Sequence, residues 1–140
     1  MHITQPHHLD IERACIRLVL DAVHAVDQQK YRDFADCFSA DGLLYRPGQT
    51  EPLRGPAAIQ DAYESRPASR MTRHICTNMR VDIHSVTSST VYSYVQLYAK
   101  DLSDADSSSA PALRVGEFED HCVCQNGRWL IAERKARFVM

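Results

Sequence analysis

No stretch of this 140-residue chain is apolar for anything near the roughly 20 residues that a membrane-crossing helix requires, so an α-helical span is not expected. Charge of one sign is not in excess either. A formal net charge of −2, from 16 basic and 18 acidic residues, offers no basic face to a phosphate backbone and argues against nucleic acid as a partner. The five cysteines, Cys15, Cys37, Cys76, Cys122 and Cys124, contain no C-x-x-C pair and are odd in number. They read as reduced, mostly buried thiols of a cytoplasmic protein. Residues 1–10 are polar and histidine-bearing without an apolar core, so no secretion signal is expected, and His7 and His8 read as solvated. Cys122 and Cys124 share a strand face, yet no matching histidine or cysteine pair completes a metal site, and none is expected. No cofactor motif is present.

What remains is ordinary globular composition, 44% apolar and 24% charged, which fits one domain over residues 1–140 and is too short for two. From Leu9 to about Gln28 the apolar residues recur at helical spacing. Ile11, Cys15, Leu18 and Ala22 form one row, and Ile16, Leu20 and Val23 form a second that leads to Asp27. A carboxylate thus falls where a core residue belongs. Either it caps the next segment or it points into a cavity. Tyr31, Phe34 and Phe38 fit a short amphipathic helix over 31–38, ended by a turn at Ser39-Ala40-Asp41-Gly42. Leu43-Leu44-Tyr45 is a short strand, and Gly55-Pro56 opens a third helix that reaches about Arg66 before Pro67 stops it.

Beyond Pro67 the pattern changes to strands. Residues 71–84, 90–100, 113–125 and 128–139 are rich in β-branched and aromatic side chains, and Asn126-Gly127 is a two-residue hairpin signal. Residues 101–111, dominated by Asp, Ser and Ala, form a polar loop expected to be mobile. Helices first and long strands afterwards give an α+β fold, a curved antiparallel sheet with helices over one face. In the second long strand Val91, Ser93, Val95 and Leu97 share one face, the better candidate for a pocket wall. Tyr92, Tyr94, Gln96 and Tyr98 share the other. An exposed tyrosine stripe of that kind marks an interface, so a homodimer packed sheet to sheet is expected, unless the 101–111 loop covers it.

A histidine within a strand, His74, and an inward carboxylate, Asp27, are the polar groups that proton transfer in a buried pocket needs. His74 also reads as a satisfied core histidine. Asn78, four residues on and on the same strand face, could hydrogen-bond a substrate oxygen or serve structure alone. Phe118 and Asp120 on the third long strand and Arg134 on the fourth are further pocket candidates, and Asp120 and Arg134 could simply pair with each other.

The order of elements and four local blocks resemble SnoaL-like members of the nuclear transport factor two-like superfamily. These blocks are Val26-Asp27 through Gly42, Arg54-Gly55-Pro56-Ala57-Ala58-Ile59, Thr72-Arg73-His74-Ile75-Cys76-Thr77-Asn78 and Asn126-Gly127-Arg128-Trp129-Leu130-Ile131. The resemblance implies a cone of curved antiparallel sheet closed by three N-terminal helices around a deep pocket. It implies function weakly, because the superfamily holds dehydratases, isomerases, cyclases and non-catalytic subunits. Asp27 and His74 match the catalytic aspartate and histidine of scytalone dehydratases, Val95 stands where those enzymes carry a second histidine, and Tyr45 lies near their pocket tyrosine. The function implied is a cofactor-free lyase or isomerase acting on a small hydrophobic, cyclic or polyketide-like hydroxy-carbonyl compound. Thr72-Arg73-His74 and Ile131-Ala132-Glu133-Arg134 also resemble ring-hydroxylating dioxygenase β subunits, which implies the alternative of a non-catalytic accessory protein.

Overall fold

The computed structural model describes residues 7–103 and 109–140; residues 104–108 of the expected 101–111 loop and the first six residues lie outside these. Helix α1 (His8–Asp27) starts where the His7 ring accepts the Leu9 N–H at 3.2 Å. His7 and His8 are exposed, as expected, but they belong to the cap and first turn rather than to a loose leader. The row Ile11, Cys15, Leu18 and Ala22 is buried, joined by Val19, Val23, Ala25 and Val26. The second expected row departs from the core: Leu20 is 41% exposed and Ile16 half-buried, because Val19 and Val26 flank the buried row instead. Only the C-terminal end of that row, Val23 and Asp27, turns inward.

Helix α2 (Tyr31–Ala35) is shorter than its pattern suggests. Phe38 opens β1 (Phe38–Tyr45) instead of ending the helix, and the expected turn at Ser39 to Gly42 is a bulge within that strand. Phe38 pairs with Ile131 and Leu43 with Glu133, so the residues between loop out of register. A Cβ on Gly42 would lie 2.9 Å from the Ser39 carbonyl oxygen, closer than side-chain carbons approach. Strand β2 (Leu53–Arg54), which no periodicity announces, leads into α3 (Gly55–Glu64) with Pro56 in its first turn.

The long strands β3 (Arg70–Ser85), β4 (Ser88–Asp101), β5 (Ala112–Gln125) and β6 (Arg128–Phe138) stand where sequence places them. Asn126 and Gly127, at φ 53° and 78°, make the tight β5–β6 turn. The sheet runs β2-β1-β6-β5-β4-β3, unclosed, with antiparallel neighbours except for the parallel β1–β6 pair. Helix α1 packs chiefly on β3, and α3 on β1 and α2. The Phe34 ring meets Phe38 and Tyr63 at 5.3 and 4.8 Å between centroids, which joins α2, β1 and α3 in one aromatic cluster. On β4, Val91 and Val95 face inward and Tyr94, 54% exposed, faces out, as their alternation predicts. Among the described residues no helix is long and apolar enough to cross a membrane.

One fully buried ion pair braces β5 against β6. Asp120 lies directly across from Arg134, which donates Nε to Oδ1 at 2.6 Å and Nη2 to Oδ2 at 3.2 Å. Burial pushes the Asp120 carboxyl up while Arg134 draws it down; the guanidinium, though burial opposes its charge, is raised by Asp120. These tendencies pull in opposite senses for the carboxylate. We take the pair as ionised, because a neutral Asp120 would leave a buried arginine charge without a counterion. Asp120→Asn should therefore cost about 3 to 5 kcal/mol in urea unfolding, and Asp120→Leu combined with Arg134→Met should recover most of that loss. A single-variant cost below about 1 kcal/mol, the value of an exposed pair, would show that the interior tolerates the lone charge.

Candidate functional site

The sheet and helices enclose a cavity of about 290 Å³. Its body is apolar, with Val23 and Val26 from α1, Val95 and Leu97 from β4, and Phe118 and Phe138 from β5 and β6. His74 and Thr72 of β3 form its polar wall. Arg134 also reaches the cavity, its guanidinium 4.2 Å from the centroid of the Phe118 ring and anchored behind by Asp120.

Asp27 is the last residue of α1, and it does not cap α2: the residue before that helix is Lys30, and the Asp27 side chain is only 8% exposed. Its carboxylate turns to β3 instead. Oδ1 accepts the Thr72 hydroxyl at 2.9 Å and lies 2.6 Å from His74 Nδ1, while Oδ2 accepts the backbone N–H of His74 at 2.8 Å. Burial raises the Asp27 carboxyl, but the side-chain and backbone hydrogen bonds of His74, its charge and the Thr72 hydroxyl outweigh that and hold it below the usual aspartate value. An ionised acceptor obliges Nδ1 to carry the proton. The ring then presents Nε2, with its lone pair, as the nitrogen available to a cavity ligand. Gln29, at φ 57°, donates its amide to the carbonyls of Ala68 and Arg70, so the end of α1 and the start of β3 are tied twice.

Strand alternation explains which candidates reach this cavity. Val95, Phe118 and Arg134 line it with His74, and Asp120 acts on it only through Arg134. Tyr45 does not line it. Its neighbours Leu44 and Arg46 do, which places Tyr45 on the other side of β1. Asn78 is also absent from the wall: the ladder slips between Thr77 and Arg80, Asn78 takes φ 54°, and its exposed side chain borders an outer depression with Tyr92, Tyr94 and Glu117. A period of two counted across that bulge misassigns the face. Sequence reasoning missed Thr72, the third donor to Asp27, although it sits two residues from His74 and hence on the same face. It also missed Arg46, Arg66 and Arg70, which line the cavity from just past β1, just past α3 and the first position of β3.

Comparison with known proteins gives the fold a family. No curated protein matches the chain. Among solved structures, a candidate scytalone dehydratase from Novosphingobium aromaticivorans superposes with a TM-score of 0.83 at 22% identity, over 94% of this chain and 86% of that one. ActVI-ORFA from Streptomyces coelicolor gives 0.78 at 17% identity, over 92% and 97% of the two chains. A candidate aromatic ring hydroxylase from the same Novosphingobium gives 0.79 at 17% identity, over 96% and 93%. At these identities the likeness is one of fold. The model of the SnoaL-like domain matches residues 7–135, and the chain belongs to that family.

Proposed function

We propose that this protein is a lyase or isomerase in which His74 moves a proton on a small cyclic or polyketide-like hydroxy-carbonyl substrate. The single observation that carries this reading is the 2.6 Å contact between Asp27 Oδ1 and His74 Nδ1 at the wall of an apolar cavity. In the proposed reaction, Nε2 takes a proton from carbon next to the carbonyl. The Asp27 carboxylate stabilises the resulting imidazolium, and the proton then passes to a β-hydroxyl, which departs as water, or to another carbon. The first course is dehydration and the second isomerisation. Every proton returns to the substrate or to water, so the step needs no external cofactor. The likeness of fold to a candidate scytalone dehydratase supports the dehydration branch, but Val95, without a proton to give, occupies the wall where a second acid group would serve such a reaction. The accessory-subunit alternative makes no use of this paired cavity. The unpaired state of all five cysteines supports the proposed cytoplasmic setting.

We also propose a homodimer through the outer sheet face, where Tyr92, Tyr94 and Tyr98 alternate along β4. Tyr94 is the most exposed of these, and the Glu117–Arg137 pair flanks the stripe in register.

Four outcomes test these proposals. His74→Ala should lower turnover at least about a hundredfold once a substrate is in hand, the usual worth of a positioned base, while leaving circular dichroism unchanged; retained turnover would remove the base. Asp27→Asn should reduce kcat far more than it changes KM. Because the Asp27 carboxyl is depressed in the folded state, its contribution to stability is complete above the ordinary aspartate pKa of about 3.9 and is lost as pH falls through the lower folded value. The stability gap between wild type and Asp27→Asn should accordingly be level near pH 5 to 6 and shrink in stronger acid; a gap that widened there would mean the carboxylate is not held ionised. For assembly, light scattering at micromolar concentration should give a dimer that Tyr94→Glu converts to monomer, and a wild-type monomer would count against the interface.

A further inference from the structure

The charge around the cavity is one-sided. Arg46 just after β1, Arg66 just past α3 and Arg70 at the first position of β3 line it together with Arg134, and no aspartate or glutamate does. Asp120 neutralises Arg134. Among the described residues the other three make no ion pair. Arg66 rests over the Tyr63 ring at 4.0 Å, which holds it against the cavity wall. Asp101 lies across from Arg70 in the ladder, but its carboxylate accepts Ser103 N and Oγ at 2.9 and 2.7 Å. All three arginines are half-buried, so each has given up part of its hydration without gaining a counterion among these residues.

We propose that the substrate carries an anionic oxygen group, a carboxylate or a phosphate ester, which Arg46, Arg66 and Arg70 hold while its ring fills the apolar chamber beside His74. The guanidinium fork suits either group, since both offer paired oxygens to its N–H donors. Orientation follows from the carboxylate already present. Asp27 repels a second negative charge from the His74 end, which leaves the arginine end for the anion. Arg70, Thr72 and His74 alternate along one face of β3, and four residues of strand span about 13 Å between the Cα atoms of Arg70 and His74. An arginine side chain reaching inward covers part of that span, and a compact one- or two-ring acid covers the remainder. This inference rests on the cavity being the substrate site, but it does not require that His74 be catalytic.

Binding alone tests it, with three probes of one shape: 2-naphthoate, 2-naphthyl phosphate and neutral 2-naphthamide, titrated by calorimetry at neutral pH against wild type, Arg46→Met, Arg70→Met and His74→Ala. Methionine keeps the apolar stem of the side chain and removes the charge. The expected result is that at least one anion binds about tenfold or more tightly than the amide, that raising salt narrows this preference, and that either arginine variant narrows it while binding the amide as wild type does. Naphthoate ahead of the phosphate assigns a carboxylic acid as substrate class, and the reverse order assigns a phosphate ester. The preference should survive in His74→Ala, so failure of the catalytic reading would leave it standing. Equal binding of amide and anions, a preference unchanged in both arginine variants, or no binding of either anion at millimolar concentration would overturn the proposal. Arg66→Met, which also loses the contact with Tyr63, serves as a third variant should one of the others fail to fold.

Discussion

The structure depends most on the Asp27 carboxylate, held where helix meets sheet with its side chain 8% exposed. Asp27 closes α1 at a point where the helix meets β3, and an ionised group there would cost several kcal/mol of lost hydration if left alone. Thr72 and His74 supply a hydroxyl, a backbone N–H and a ring N–H, three donors from a short run of one strand. Each of these bonds constrains something else. The backbone bond sets the height of β3 against the helix, the hydroxyl fixes which face of the strand looks inward, and the ring bond sets the tautomer of His74. One charge therefore couples the packing of helix on sheet to the chemistry of the cavity wall.

The rest of the cavity follows a division of labour that the fold enforces. β4, β5 and β6 contribute valine, leucine and phenylalanine from their inward rows, and apolar walls of that kind strengthen an electrostatic contact made beside them. Apart from Thr72 and His74 on β3, the polar groups cluster where elements begin or end. Arg46 follows β1, Arg70 begins β3 and Asp27 ends α1, so formal charge collects at element termini while the inward rows of β4 and β5 stay apolar at the cavity. Arg134 is the exception, and it is tolerated in mid-strand because Asp120 faces it across one step of the ladder.

The long strands and the first helix were legible because their patterns are long. The alternation of β4 assigned Val95 inward and Tyr94 outward, and the run from Ile11 to Ala22 marked the buried face of α1. Asp27 could be noticed as a carboxylate in an apolar row, although Leu20 in that row proved exposed, since a helix seated on a sheet buries a stripe rather than two full rows. Short-range signals served less well. Phe38 sits at helical spacing from Phe34, yet it begins β1, because pairing with Ile131 of β6 is a long-range contact that no local pattern contains. Asn78 was counted in phase with His74, and a bulge between them changed the phase. Arg46, Arg66 and Arg70 were invisible for a related reason: they lie in connecting segments or at the first position of a strand, where no periodicity indicates direction.

The account stands or falls on the protonation of one ring. Nitrogen-15 NMR of the histidine side chains, at a pH where the His74 ring is neutral, reports which nitrogen holds the proton. The predicted result is a proton on Nδ1, shared with Asp27, and an unprotonated Nε2 whose resonance moves when a cavity ligand binds. A His74 ring protonated on Nε2 would have no lone pair to offer a substrate and would contradict the proposed chemistry directly.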